Sequence, residues 1–181
     1  MTFEFIHTPH LKLRKISPEV HDFIYKNYSD DELMHFLGIT GESELSAEKE
    51  KYNKGFTTFN KSFLYFQLLD DLDKVYGIIG YHTWYLDHRR AEIFYMLNDD
   101  AHKGKGIMSE AMQEVLKYGF EKMNLHRVEA FISTENTPSI KLVQKYNFVK
   151  EGHLREHYFK NNTMEDSLVF SLLKKEFKKE L

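Results

Sequence analysis

The chain has 181 residues, of which 41% are hydrophobic and 15% aromatic, which is enough for a packed core and argues against disorder. Its 25 basic and 28 acidic residues leave a formal net charge of -3, so there is no electrostatic reason to expect nucleic-acid or membrane binding. The absence of cysteine excludes disulfides, thiolate nucleophiles and cysteine-based zinc sites.

The sequence predicts one domain over residues 1–181. It contains no internal repeat, no low-complexity segment and no linker rich in Pro, Gly and Ser. The first twelve residues alternate polar and apolar side chains without the long apolar core of a signal peptide, and no stretch approaches the length of a membrane span. We therefore expect a cytoplasmic protein.

The first third of the chain predicts a strand followed by three helices. The predicted bounds are 11–16 for the strand and 17–26, 30–37 and 46–59 for the helices. Ser17 is a typical N-cap for the first helix, and Gly38 is expected to end the second. In the third, Tyr52, Phe56 and Phe59 recur at helical spacing.

The rest of the chain alternates strands and helices. Strands are predicted over 63–69, 75–86, 91–97, 127–133, 148–159 and 164–173, and helices over 107–124 and 137–146. Short polar connections predict that the first three of these strands form a meander. Asn124 is expected to close the helix predicted over 107–124, and Asn161-Asn162 is expected to form the turn of the last hairpin. Hairpins combined with crossovers predict an α/β fold, with a mixed, mostly antiparallel central sheet of about seven strands flanked by helices.

The run His-Lys-Gly-Lys-Gly at 102–106 joins a strand to the start of a helix. Two glycines spaced by one residue let backbone N–H groups turn toward an anion, and the positive end of the following helix adds to that preference. Lys103 and Lys105 place positive charge nearby. The alternative is a tight loop without a ligand. Two nucleotide motifs fail here, since a Walker A sequence is absent and Ser109 stands where a Rossmann fingerprint has Gly or Ala.

Several segments, whose order along the chain is that of the family, resemble signatures of the GCN5-related N-acetyltransferase (GNAT) superfamily and of its RimJ/RimL-like branch, and they include the closing hairpin at 151–152 and 166–173. Residues 104–111 resemble "GKGYATEA", and residues 91–97 resemble the strand "AEIGYWL" before it. Residues 136–139 are similar to "NxxS", residues 142–148 to "LxEKxGF" and residues 11–16 to the opening "LxLRxx". The resemblance spans nearly the whole chain and implies the GNAT-like form of the α/β fold.

The sequence departs from the family pattern at four positions. Ala101 stands where Gln or Arg is common, so one contact on the phosphate side is missing. Phe94 replaces a usual Gly, which is expected to alter a bulge or narrow the substrate channel. Val143 replaces a frequent Tyr, and Asn147 replaces a Gly but can adopt positive φ.

The resemblance implies an acetyl-CoA-dependent N-acetyltransferase, an acyltransferase acting on a small primary amine or on a protein N-terminal α-amine of the ribosomal-protein type. In the family, pantetheine lies between two neighbouring strands, which correspond here to 91–97 and 127–133. The residues that the resemblance assigns to coenzyme A are Met96, Leu97, His102, Lys103, Gly104, Lys105, Gly106, Ile107, Met108, Asn136 and Ser139.

Amine acetylation needs a neutral amine, a site for the oxyanion and a proton for the leaving thiolate. An α-amine has a reference pKa of about 8, so modest general-base help suffices near neutral pH. Glu92 is the candidate base; the alternative is a strand glutamate paired with Arg90. Ser139 is the candidate proton donor to the sulfur, or else a helix cap. Tyr146 is a candidate substitute for the tyrosine missing at Val143.

No metal site is expected from the ten histidines. His153 and His157 lie four residues apart in a predicted strand, which separates them by about 13 Å, too far for one zinc ion. His7 and His10 are expected in a mobile terminus, and His82 is kept open as a pocket residue.

The expected partners are acetyl-CoA and an amine acceptor, with no nucleic acid or membrane, and a homodimer is left open. Trp84, Tyr85 and Phe36 either line the acceptor pocket or pack in the core. The alternative function is a CoA-binding module of the same fold without catalysis.

Overall fold

One mixed β-sheet runs through the structure, a computed structural model that describes residues 1–58, 60–160 and 162–178. In chain order the elements are β1 (Phe5–His7), β2 (Lys12–Ile16), α1 (Pro18–Asn27), α2 (Asp30–Leu37), α3 (Glu42–Lys54), β3 (Lys61–Leu69), β4 (Val75–Tyr85), β5 (Arg90–Leu97), a 3-10 turn (Asp100–His102), α4 (Ile107–Glu121), β6 (Arg127–Ser133), α5 (Thr137–Lys145), β7 (Val149–Lys160) and β8 (Thr163–Leu173). The strand order is β1-β2-β3-β4-β5-β6-β8-β7. The predicted α/β fold with a mostly antiparallel sheet is confirmed.

The sheet has eight strands in the described residues, whereas about seven were expected. The additional strand is β1, which pairs antiparallel with β2 and places His7 opposite Lys12. His10 is also held in place, because its backbone N–H and its Nδ1 contact Glu110 at 3.2 and 3.0 Å. The expectation of a mobile terminus around these two histidines is therefore wrong.

The neighbours β5 and β6 form the sheet's one parallel pair among the described strands, and they pair over a short length. Their partners are Arg90 with Arg127, Ala91 with Val128 and Glu92 with Glu129. Beyond Glu92, β5 stays bonded to β4, and beyond Glu129, β6 stays bonded to β8. The two strands therefore separate and leave a gap between their facing edges.

Two apolar cores lie on opposite faces of the sheet. The larger one contains the apolar face of α4, with Met112, Val115 and Leu116 fully buried. There α4 approaches the sheet closely, because the Tyr81 hydroxyl donates to the Val115 carbonyl at 2.9 Å and a Cβ at Gly119 would overlap that hydroxyl. The smaller core joins α1, α2 and α3 to the other face.

Three local expectations need correction or fall outside the described residues. Helix α3 begins and ends earlier than the predicted 46–59, since Gly55, with a φ of 83°, ends it. Helix α4 ends at Glu121, and Asn124 adopts positive φ in the following turn instead of closing the helix. Phe59 and Asn161, which were expected in α3 and in the last turn, lie outside the described residues. None of the described helices is both long and apolar enough to cross a bilayer.

Candidate active site

The point where β5 and β6 separate is occupied by two glutamates with different surroundings. Glu129 is held by two arginines, with Arg90 Nη1 at 2.6 Å from its Oε2 and Arg127 Nε at 2.8 Å from its Oε1. Glu92 lies beside Glu129 in the parallel pairing and has no such counter-charge in the described structure. Arg90 therefore neutralises Glu129, and the alternative in which it pairs with Glu92 does not hold.

Glu92 has the environment of a general base for neutral pH. Burial, with a smaller contribution from the negative charge of Glu129, raises the pKa of Glu92 to about 7. His82 Nδ1 lies 3.7 Å from Glu92 Oε2, and burial lowers the pKa of His82, so the imidazole offers no fixed positive charge. A carboxyl group with a pKa near the working pH is suited to accept a proton and release it again.

A cavity of about 790 Å³ opens on the face of the sheet toward which Glu92 is directed. Side chains alternate along a strand, so Phe94 and Met96 of β5 share a face with Glu92, and both line this cavity together with His82. The β4–β5 register is regular from Gly77 to His82, so the backbone of β5 has no bulge at Phe94. Its ring instead stacks against His82 at 5.3 Å and narrows the space.

Three aromatic residues for which the sequence leaves a place in the acceptor pocket open lie elsewhere. Phe36 is buried in the smaller core, with the Arg14 guanidinium 3.7 Å from its ring centroid. Tyr85 packs on Arg90, and Trp84 lines a separate cavity beside the N-terminal residues. Core and surface packing therefore accounts for all three.

The glycine loop has the geometry of an anion site. Gly104 and Gly106 have φ of 73° and 79°, and open space surrounds both glycines. Within α4, Glu110 is the residue whose N–H bonds back to Gly106, at 3.0 Å, so the preceding N–H groups of Ile107, Met108 and Ser109 point out of the helix start. These groups and the helix dipole can hold a phosphate.

The part of the loop before Gly104 is engaged in other contacts. The N–H groups of His102 and Lys103 bond to Asp99 and Asp100 within the 3-10 turn, at 3.2 and 3.0 Å. Lys103 Nζ is also paired with Asp100, and the His102 ring stacks on Tyr76 at 4.6 Å. The backbone N–H groups that are free to meet an anion therefore begin at Gly104, and His102 and Lys103 could contribute only their side chains.

The start of α5 carries the two other residues assigned to the cofactor. The Asn136 side chain caps the helix, accepting from the Ser139 N–H at 3.2 Å. Ser139 is therefore not the cap, and its hydroxyl is left for other contacts. Asn136 can cap α5 and contact the cofactor at the same time only through its amide N–H₂ group, because its side-chain oxygen is used by the cap.

Tyr95 is a functional candidate that the sequence analysis missed. It lies on β5 in the separated part of the strand, and alternation places it on the opposite face from Glu92. Its hydroxyl is buried without a well-formed hydrogen bond to any described residue, although Ser139 lies close enough to affect its pKa. The sequence signal was available, because the alternation that assigns Glu92 to one face assigns Tyr95 to the other.

Tyr146 has a different setting from Tyr95. Its ring is buried between α5 and α4, and its hydroxyl contacts the Ser109 hydroxyl at 3.0 Å and the Ser109 carbonyl more closely. These contacts tie the end of α5 to the start of α4. A catalytic role for Tyr146 remains a prediction.

Histidines and carboxylates do not gather into a metal-binding group of three or more within the described residues. His153 pairs with Asp166 at 2.6 Å, and His157 packs against Phe131 with a centroid distance of 5.2 Å. These histidines are engaged in surface pairing and ring packing.

Comparison with known proteins places these features in a family. A family model described as "Acetyltransferase (GNAT) domain" matches residues 10–149, a range that includes Glu92, the glycine loop and Ser139. "Uncharacterized N-acetyltransferase p20" of Bacillus licheniformis is 35% identical over 176 residues, covering 96% of this chain and 98% of the relative.

Two further likenesses concern enzymes that act on spermidine. "Spermidine N(1)-acetyltransferase" of Vibrio cholerae is 35% identical over 79 residues, which cover 44% of this chain and 45% of the relative. The crystal structure of spermidine N-acetyltransferase from Vibrio cholerae in complex with CoA and spermine has a TM-score of 0.68 and 25% identity, covering 93% of this chain and 98% of that one.

Proposed function

The chain belongs to the GNAT family of N-acetyltransferases, which use acetyl-CoA, and we propose that it acetylates a small primary amine bound in the cavity beneath α1, α2 and α3. The observation that carries the proposal is the position of Glu92. It lies where the two strands separate, its pKa is about 7, and it is directed to the face that holds the cavity. The neighbour that binds both CoA and spermine supports a small amine as the acceptor class.

The residues present fit coenzyme A. The facing edges of β5 and β6 carry backbone groups that can bond to an extended pantetheine arm along Met96 and Leu97. The N–H groups from Gly104 to Ser109 lie at the end of the same gap, where they can hold the pyrophosphate. When bound, the cofactor supplies an acetyl group as a thioester.

Glu92 acts on the amine. An alkylammonium with a pKa of about 10 is almost fully protonated at neutral pH and has to lose a proton before it can attack. Ionised Glu92 takes that proton directly or through a water. The neighbouring His82 has a lowered pKa and is neutral, so it does not offset the negative charge of Glu92. The nitrogen then forms its bond to the acetyl carbon as the carbon–sulfur bond breaks.

Ser139 and Tyr95 act on the opposite face of the sheet. Their hydroxyls lie together between β5 and the start of α5, and neither is used by the helix cap. In this arrangement a hydroxyl proton can pass to the departing sulfur, the second proton that the nitrogen loses as the amide forms returns to that hydroxyl through solvent, and Glu92 releases the first proton to solvent. Tyr95 thereby supplies a tyrosine hydroxyl in place of the one that the family frequently has at the position of Val143.

The test is release of CoA from acetyl-CoA with a panel of monoamines, diamines and N-terminal peptides. We expect turnover with small amines and a loss of about a hundredfold in kcat for Glu92→Gln. Turnover with peptides alone would favour the N-terminal α-amine acceptor instead. Tight binding of acetyl-CoA by calorimetry, with no turnover on any amine, would contradict the proposal and favour a CoA-binding module.

A further inference from the structure

The end of the cavity beneath α1 and α3 contains a histidine enclosed by aromatic rings. His21 is 6% exposed and lines the cavity. Its ring lies 4.6 Å from Tyr25, 5.7 Å from Tyr52, 4.9 Å from Phe56 and 5.5 Å from Phe63. Neither of its ring nitrogens hydrogen-bonds to the residues that the structure describes. A buried polar side chain of this kind normally has a partner, so a ligand is a natural candidate for that role.

The neighbouring groups are hydrogen-bond acceptors or negatively charged. Burial lowers the pKa of His21 to about 4, so the imidazole is neutral at pH 7 and offers one nitrogen as an acceptor. The Tyr25 hydroxyl is also buried without a partner in the described residues, and burial, aided by Glu48, raises the pKa of Tyr25 to about 12. An acceptor nitrogen, a hydroxyl and a carboxylate suit a cationic donor.

Two carboxylates of α3, Glu44 and Glu48, line the same cavity. Glu48 is paired with Lys51 at 2.5 Å, but the lysine side chain is 58% exposed, and such surface pairs contribute little and exchange readily. Aromatic rings add an attraction for a cation that comes within about 6 Å of a ring centroid. Phe56 and Phe63, which line this end of the cavity, provide such rings.

The sheet fixes the distance between this cluster and Glu92. His82 stands opposite Glu92 in the β4–β5 pairing, and Phe63 lies on β3 beside the irregular end of that stretch of β4. From Glu92 to Phe63 is therefore two strand spacings, or about 10 Å. The His21 ring lies 5.5 Å from that of Phe63.

Resting on the proposed function, we propose that the cluster of His21, Tyr25, Glu44 and Glu48 binds a second ammonium group of the acceptor. The substrate class is then an unbranched diamine or longer polyamine, whose far amine is held about 10 Å or more from the amine that is acetylated at Glu92.

The experiment compares unbranched diamines of increasing length with monoamines of the same carbon chain. Steady-state kinetics give kcat and KM, and calorimetry on the CoA-bound protein gives the Kd of each amine. The variants are Glu48→Gln, the double variant Glu44→Gln/Glu48→Gln and His21→Phe, which keeps a ring but removes both nitrogens. The matched control is Glu50→Gln, which removes an equal charge from α3 at a residue that pairs with Lys54 and does not line the cavity.

For the wild type we expect diamines that span the distance to bind at least fivefold more tightly than the monoamines. Glu48→Gln should raise the KM and Kd of those diamines about fivefold, leave kcat and the monoamines unchanged, and differ from Glu50→Gln, which should have no effect. His21→Phe should act in the same direction, and Glu48, whose side chain is 28% exposed and lies outside the apolar core, keeps the test valid if the histidine variant does not fold.

The two proposals fail in different ways. Acetylation of monoamines and diamines with equal KM would overturn the second ammonium site and leave the acetyltransferase proposal intact. Diamine binding that depends on Glu48, with no CoA release from any amine, would uphold the site and overturn the proposed reaction. An equal effect of Glu48→Gln and Glu50→Gln would show a general charge effect and contradict the site.

Discussion

Glu92 and Glu129 are the last paired residues before β5 and β6 separate, and only Glu129 is neutralised. The two carboxyl groups therefore differ in their electrostatic surroundings, although they stand at equivalent positions on adjacent parallel strands. Glu129 lies between Arg90 and Arg127 and is paired with both. Glu92, buried beside it, has a pKa of about 7 and can exchange protons during a reaction.

Replacement of Glu92 by Gln should reduce kcat by about a hundredfold and change the KM for the amine little. The side chain keeps its size but loses the ability to accept a proton. Steady-state release of CoA measures both constants, and calorimetry should show unchanged binding of acetyl-CoA. A variant with full activity would exclude Glu92 as the base.

The pH profile should report Glu92. Because burial raises its pKa to about 7, the base form becomes the major one only above that pH, so kcat/KM for the amine should rise through about pH 7 and level off above it. Glu129→Gln removes a like charge and should move this rising limb to lower pH. Arg90→Gln exposes the charge of Glu129 and should move it to higher pH. Shifts of the same sign in both variants would contradict this electrostatic coupling.

Stability should depend on Glu92 in the opposite sense to activity. The folded-state pKa of about 7 lies above the ordinary value of 4.5, so the folded protein holds this proton more tightly than the unfolded chain. As pH rises from about 4.5 to 7, this group therefore reduces the free energy of unfolding. Glu92→Gln should match the wild type at pH 4.5 and have the higher Tm at pH 8, as measured by thermal unfolding.

Ala at Gly106 should weaken cofactor binding and cost about 1–2 kcal/mol of stability. Its φ of 79° is unfavourable for any residue with a Cβ, while the surrounding space is open, so the cost comes from the backbone and not from a clash. Gly152→Ala, at a glycine that also has open space but no positive φ, is the control. Calorimetry with acetyl-CoA measures the loss of cofactor binding, and thermal unfolding measures the loss of stability. Equal behaviour of Gly106→Ala and Gly152→Ala in both measurements would contradict a role for Gly106 in cofactor binding.

Asn136→Ala and Ser139→Ala should separate stability from catalysis. The Asn136 side chain caps α5, so its loss should cost about 1 kcal/mol in the free energy of unfolding. Ser139 donates only its backbone N–H to that cap, so Ser139→Ala should unfold like the wild type while its kcat falls. Denaturant unfolding and CoA release measure the pair. Loss of stability in Ser139→Ala with unchanged kcat would show that Ser139 has a purely structural role and would contradict its role as proton donor.

Local signals in the sequence were sufficient for several elements of the fold. Helix α2 begins and ends where predicted, because Ser29 forms a capping box with Glu32 and Gly38 takes the left-handed conformation after the last turn. Strand β1 was missed, since three residues carry too little periodicity and the strand depends on β2 for its partner. Helix α3 was misplaced because the spacing of Phe56 looks helical, whereas Phe56 lies beyond Gly55 and packs on His21.

The candidate site was only partly accessible from the sequence. Alternation along β5 places Glu92, and two spaced glycines place the anion loop. The neutralisation of Glu129 by Arg90 joins two strands separated by the whole of α4, so no local pattern contains it. The cluster around His21 likewise brings together α1, α3 and β3, and it is apparent only in the packed structure, where the ring nitrogens have no hydrogen-bond partner among the described residues.

The gap between β5 and β6 divides the sheet into blocks of five and three strands, joined by the pairing that ends at Glu92 and Glu129. In the ligand-free protein, amide groups on the inner edges of these strands have no neighbour across the gap, so some of the molecule's most central backbone should exchange hydrogen for deuterium as rapidly as a loop does. Acetyl-CoA should slow that exchange along both edges at once. Occupancy of the cofactor site would thus be recorded as protection in the middle of the sheet.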